Sequence, residues 1–210
     1  NPFRNLNFST LKASKQPGLN DIIANIEKAS KDENIKGILL NLNSFEAGYA
    51  TATEIRNALV QFKKSGKFIF AYAEYYSTKA YYLASVADKI YLHPEGAVDF
   101  KGLYAQLMFM KGALDKLEIE PEIIRHGKFK SAIEPFILDK MSPENKEQVA
   151  TFINSIWETI RGEIAESRKI SREELEQISD SLAAENAKDA LRLKLVDQLC
   201  YKDELEKILA

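Results

Sequence analysis

Cysteine occurs once, at Cys200, and histidine twice, at His93 and His126. One thiol excludes an intrachain disulfide and a cysteine-rich metal site, and two imidazoles are too few for a typical histidine-rich zinc centre. No run of Lys or Arg is long enough to track a phosphate backbone. The 29 basic residues nearly cancel the 31 acidic ones, so nucleic acid is not an expected partner. Long apolar runs are missing as well. Ile38–Leu40 and Phe68–Ala73 are strand-sized, far short of the roughly 20 residues needed to cross a bilayer. The sequence opens Asn1-Pro2-Phe3, with neither Met nor a charged-then-apolar leader, which predicts an engineered or processed start and leaves any anchor upstream. GxSxG, HExxH, the Walker loop and GxGxxG after a strand are all absent, which removes the main evidence for most familiar enzyme classes.

What is present is an ordinary globular composition: 210 residues, 45% apolar and 29% charged, enough to bury a core. Ile22, Ile23, Ile26 and Ala29 fall at helical spacing behind Asn20, which is placed to cap a helix over 20–31. Residues 36–43 read as a buried strand followed by a loop, Ser44 to Ala50. Ile55, Leu59, Val60 and Phe62 line one side of a helix over 51–64, with Gly66 beyond its end for a left-handed closure. A second strand over 67–74, a helix over 77–86 and a third strand over 89–92, stopped by His93-Pro94, continue the alternation. Leu107 to Leu117 reads as a further helix and Glu122 to Arg125 as a fourth strand. Short apolar strands separated by helices of about ten residues imply right-handed βαβ crossovers, hence an α/β fold with a mostly parallel sheet. From Pro143 onward the pattern changes. Val149, Phe152, Ile153, Ile156, Trp157, Ile160 and Ile164 mark a long amphipathic helix, with two or three more helices after it. The division expected is an α/β core over 1–142 and a helical extension over 143–210 that packs on the core or on a neighbouring domain.

Taken residue by residue, the chemistry is sparse. His126 ends the predicted fourth strand without a partner motif and reads as structural. Tyr72, Tyr75, Tyr76, Tyr81 and Tyr82 cluster around the second strand and its helix and read as half-buried packing, with a peptide groove as the lesser alternative. The segment from Arg125 to Phe136 leaves a strand through Gly127, and strand-end loops of parallel sheets often host sites. A lysine there would act as a general base if burial lowered its pKa, because desolvation disfavours the ammonium form.

Gly127-Lys-Phe-Lys-Ser-Ala-Ile-Glu-Pro-Phe136, followed by Asp139-Lys-Met-Ser-Pro143, resembles the lysine motif of the signal peptide peptidase A (protease IV, peptidase S49) family. The stretches Tyr81 to Gly96 and Ala190 to Asp197 resemble the same family, and the similarity covers nearly the whole chain. The resemblance implies a ClpP/crotonase-like fold and, in the family's longer form, two related halves with the lysine base in the first and the serine nucleophile in the second. Lys130 would then be the catalytic base, with Lys128 a neighbour lacking that role. An uncharged lysine would activate the serine hydroxyl for attack on a peptide carbonyl, with backbone N–H groups holding the oxyanion.

The departures matter equally. The position nearest the family's nucleophile is Ser77 or Thr78, inside Glu74-Tyr-Tyr-Ser-Thr-Lys79, where tyrosines replace small residues and no glycine follows. The loop Ser44 to Gly48 lacks paired glycines. Ser77 is therefore read as non-nucleophilic, and the fragment alone is expected to be inactive, although a self-contained enzyme using Ser77 or Ser131 stays open. The resemblance further implies hydrophobic signal-peptide substrates, the carboxy-terminal catalytic half and further copies of the chain as partners, no cofactor or metal, and the periplasmic (outer) face of the bacterial cytoplasmic membrane. The Trp157 helix is a candidate for packing on a sister domain, with core packing the stronger reading. The rivals are a crotonase-like acyl-CoA enzyme and a non-catalytic peptide-binding or scaffold domain.

Overall fold

The computed structural model describes residues 6–7, 12–13, 17–122 and 131–209. β1 (Leu6–Asn7) and β2 (Lys12–Ala13) form an antiparallel pair, and the main sheet is β3 (Gly37–Asn41), β4 (Phe68–Ser77), β5 (Lys89–Asp99) and β6 (Gln198–Leu199), paired in that order and parallel throughout. Helices α1 (Leu19–Lys31), α2 (Tyr49–Lys63) and α3 (Thr78–Ala84) precede or join its first three strands. Then come α4 (Lys111–Lys116), a 3-10 turn at Ser131–Ile133, α5 (Glu134–Ile137), α6 (Pro143–Arg168), α7 (Arg172–Asp180), α8 (Ala187–Arg192) and α9 (Lys202–Leu209). The class is α/β, as the alternation predicts. Among the described residues no helix is long and apolar enough to cross a membrane.

The two faces of the sheet are covered unequally. Ile69, Ala71, Ala73, Ile90 and Leu92 point into one large apolar cluster that also takes Leu59 and Phe62 of α2, Ile160 and Ile164 of α6, and Leu175 and Ile178 of α7, so the core runs without a break across residue 142. The opposite face carries Tyr72 and Tyr91, closed by Cys200 and by Leu205 of α9. Trp157 packs on the main core, its ring 5.5 Å from that of Phe100, whereas Phe152, one turn earlier on α6, is 67% exposed.

Several boundaries differ from those expected. α1 starts at Leu19, one residue before Asn20, and its cap is Gly18, whose N–H donates to the Asp21 carboxylate at 3.0 Å. A first-turn acid here replaces an N-cap side chain. His93-Pro94 does not end β5. The ladder jumps from Ala73↔Leu92 to Tyr75↔Ala97, and the bulge absorbs the proline, which has no N–H to give. Gly96 makes this possible, because a Cβ there would stand 2.3 Å from the Glu74 carbonyl oxygen. The helix expected over 107–117 is confined to Lys111–Lys116. Leu107, Phe109 and Lys111 are half-buried in alternation with exposed Met108 and Met110, the period of extended chain, and the Met110 N–H donates to the Pro135 carbonyl at 2.7 Å. The expected strand Glu122–Arg125 falls on residues 123–125, outside the described ones, and the sheet's fourth strand among the described residues is β6. Gly66 does take the left-handed conformation after α2, at φ 78°.

Two arginines with side chains largely withdrawn from solvent fasten the long α6 helix to the rest. Arg56 of α2 donates to Glu163 Oε2 (2.9 Å) and the Glu163 carbonyl (3.0 Å), to the Tyr82 carbonyl and Ser85 Oγ (both 2.8 Å), and to Ser167 Oγ (2.6 Å). Arg168, at the end of α6, forks onto both oxygens of Asp197 at 3.0 Å, and Asp197 also accepts from the Ile90 N–H. Planar bidentate pairing of this kind fixes direction as well as distance.

Candidate active site

Lys130, with Lys128 and His126, lies outside the described residues. The described chain resumes at Ser131, the first residue of the 3-10 turn that runs into α5, where Pro135 occupies an early helical position that needs no N–H. Glu134 begins α5 and is 3% exposed. Its carboxylate accepts from Ser142 Oγ (2.5 Å), from the Ser142 N–H (3.1 Å) and from Asn145 Nδ2 (2.8 Å). Ser142 is at the same time the N-cap of α6, its hydroxyl accepting from the Asn145 N–H at 3.1 Å. A buried carboxyl group thus sits at the amino end of a 26-residue helix, where N–H groups and the helix dipole favour negative charge. The segment that follows Lys130 is fixed to the body of the protein by this bracket. Sequence reading took Glu134-Pro-Phe136 as part of a motif and missed its structural task. The signal was there: Ser142-Pro143 is a strong helix start, and an acid eight residues earlier was available to meet it.

The carboxyl ends of β3, β4 and β5 supply the other half of the picture. Ser77 closes β4 and caps α3, its Oγ accepting from the Ala80 N–H at 3.2 Å. Thr78 Oγ1 donates to the Asp99 carbonyl at 2.7 Å. Neither hydroxyl is hydrogen-bonded to a basic group among the described residues. The nearest lysine in sequence, Lys79, places its ammonium over the Tyr49 ring, 5.0 Å from the centroid. Asp99 accepts from the Tyr75 hydroxyl (2.9 Å) and pairs with Lys101 (2.6 Å). Burial first, and then the bond to Asp99, pushes the Tyr75 phenol up to about 12. The other tyrosines of the cluster are largely core: Tyr72, Tyr76, Tyr81 and Tyr82 are buried, with the Tyr81 hydroxyl donating to the Leu195 carbonyl and the Tyr76 hydroxyl to the Tyr91 carbonyl. Burial raises the pKa of both phenols, so they stay protonated donors. Among the described residues no group of three His, Cys, Asp or Glu side chains is placed to hold a metal ion.

Comparison with known proteins agrees with the motif. Residues 61–210 match peptidase family S49. The chain belongs to that family. It is 39% identical over 203 residues to Protease 4 of Salmonella typhi, covering 93% of this chain and 33% of that protein. It is 40% identical over 156 residues to Protease 4 of Haemophilus influenzae, covering 74% and 25%. It is 30% identical over 199 residues to the chloroplastic serine protease SPPA of Arabidopsis thaliana, covering 93% and 29%. The S49 chain therefore spans a third or less of the length of these relatives. Its parallel sheet and the helices around it are those of the ClpP-like fold of the family.

Proposed function

We propose that this chain is the lysine-bearing half of a Ser/Lys peptidase that degrades signal peptides after secretion, with Lys130 as general base and the nucleophilic serine supplied by sequence outside these 210 residues. The observation that carries the split reading is at Ser77. The hydroxyl nearest the family's nucleophile position is engaged as a helix cap, and no described basic group is bonded to it. The S49 match over 61–210 supports the peptidase assignment, and the Lys130-Ser131-Ala132 motif lies within it. The lengths of the relatives leave room for a second half.

In this mechanism a neutral Lys130 takes the serine proton, the alkoxide attacks the scissile carbonyl, and the lysinium then protonates the leaving amine. Neutrality requires burial against the second half, since an exposed lysine keeps a pKa of about 10.4. Substrates are extended hydrophobic peptides, read by strand addition and apolar pockets. The working site is the outer face of the bacterial cytoplasmic membrane, in an assembly of several copies.

The test is hydrolysis of a fluorogenic hydrophobic peptide ester by this chain, by the chain joined to the downstream half, and by the joined protein carrying Lys130→Ala. Activity only in the joined protein, lost with Lys130→Ala, is the expected result. Activity in the isolated chain, or its survival without Lys130, would overturn the proposal.

A further inference from the structure

A cleft of about 640 Å³ opens at the carboxyl ends of the parallel strands, lined among others by Phe45, Tyr49, Thr78, Lys79, Lys101 and Tyr104. Crevices at this edge of an open parallel sheet are where ligands bind, and the volume falls within the roughly 300–1,000 Å³ of small-ligand sites. Its hydroxyls are engaged elsewhere, Ser77 on the α3 backbone and Thr78 on the Asp99 carbonyl. Among the described residues the cleft has no activated nucleophile.

Its chemistry is specific. Asp99 is answered by Lys101 at 2.6 Å and by the Tyr75 hydroxyl at 2.9 Å. Lys79 has no such partner among the described residues. It is half-buried against the Tyr49 ring, a contact that orients an ammonium without neutralising it. Beside it α2 is capped by Gly48, which has no side chain to accept from the first-turn N–H groups, and no acid follows in that turn. The walls are apolar: Phe45, Tyr49, Leu103 and Tyr104, the last 86% exposed. One unanswered cation flanked by aromatic and aliphatic surface fits an anion that carries an apolar group.

We propose that this cleft binds the free carboxylate end of a short hydrophobic peptide, with Lys79 on the carboxylate and Tyr49, Leu103 and Tyr104 around the terminal side chain. The choice of a peptide over another apolar carboxylate rests on the peptidase reading above, since hydrolysis produces such ends.

The test is calorimetric titration of the 210-residue chain with acetyl-Leu-Ala-Leu as the acid and as its carboxamide, and with octanoate. The acid is expected to bind about tenfold or more tightly than the amide, the worth of one charge-assisted hydrogen bond. Lys79→Gln should remove that preference while leaving the thermal midpoint in place, and Lys79→Arg should restore it. Equal affinity for acid and amide, or an unchanged preference in Lys79→Gln, would overturn the site. Octanoate binding as tightly as the peptide acid would overturn the peptide assignment. Binding is read without turnover, so loss of the Lys130-dependent hydrolysis would sink the peptidase reading and leave the acid-over-amide preference standing.

Discussion

Asn145 Nδ2 donates to Glu134 Oε2 at 2.8 Å, joining the buried carboxylate at the start of α5 to the first turn of α6. Both residues are nearly solvent-free, at 2% and 3% exposure, so water does not replace the bond when it is broken. Glu134→Ala strands the Ser142 hydroxyl and N–H and the Asn145 amide together, and the expected loss of stability is about 3 kcal/mol. Ser142→Ala removes one donor and the α6 cap and should cost about 1–2 kcal/mol. Urea denaturation of the two variants checks this ordering, and a smaller effect in Glu134→Ala than in Ser142→Ala would refute it.

Arg56, tied to α6 further along the helix, should be a second sensitive position. The residue is 3% exposed and its guanidinium makes five hydrogen bonds to α3, its C-cap Ser85 and α6, so truncation leaves Glu163, Ser85 and Ser167 without their shared partner. Arg56→Ala is expected to destabilise by about 2–3 kcal/mol, because it leaves the buried Tyr82 carbonyl and Ser85 hydroxyl unpaired while the partly exposed Glu163 can turn to water. Arg56→Lys should recover only a minor part, because an ammonium cannot reproduce the planar fork. A double-mutant cycle with Glu163→Gln reads the coupling directly, and purely additive losses would show that the pair itself contributes nothing.

How much of this was legible in the sequence depends on where the deciding contact lies. The βαβ alternation, the Gly66 closure and the amphipathic stripe of α6 are local patterns and could be read directly. The continuation of β5 past His93-Pro94 could not be, because it depends on Gly96 meeting the Glu74 carbonyl of the next strand. The helix expected from Leu107 to Leu117 is lost over 107–110 for the same kind of reason: alternating burial and a tie between Met110 and Pro135 hold that stretch extended. At the site, the lysine motif was visible through resemblance alone. The Glu134 bracket and the Asp99–Lys101–Tyr75 cluster join residues that only the fold brings together.

Gly96 tests the bulge. An added methyl would lie 2.3 Å from the Glu74 carbonyl oxygen and 2.9 Å from that of His93, both backbone atoms that cannot turn aside. Gly96→Ala should therefore cost several kcal/mol, about 3 or more, by forcing the β4–β5 register apart. Gly102→Ala, with nothing within 4 Å, is the matched control and should be near neutral. Thermal melts of the two variants that coincide would show that the bulge yields without cost.

Acidification should weaken the clamp at the end of α6. Burial pushes the Asp197 carboxyl up, but the Arg168 fork, the Ile90 N–H and the Arg168 charge together outweigh it, so its pKa lies below the usual carboxylate value. A depressed folded-state pKa contributes stability that is present above the unfolded value of about 3.9 and is lost as pH falls through the folded one. The urea midpoint should accordingly drop as pH falls below about 4. In Asp197→Asn the same limb should be shallower, with lower stability at neutral pH. An unchanged acid limb in that variant would assign the acid sensitivity to other carboxylates.

Ser77 separates a structural hydroxyl from a catalytic one. As the α3 N-cap it accepts from the Ala80 N–H at 3.2 Å, and loss of such a cap costs about 1 kcal/mol. In the protein joined to its downstream half, Ser77→Ala is expected to keep full kcat/KM on the peptide ester while melting earlier. Ser77→Gly should lie between the variant and the wild type in stability, since glycine is tolerated at N-caps. Were Ser77 the nucleophile, the same substitution would lower kcat by about four orders of magnitude or more, whatever its effect on melting. Activity is kept under one assignment and lost under the other, and one purified variant assayed both ways decides between a serine within these 210 residues and a serine beyond them.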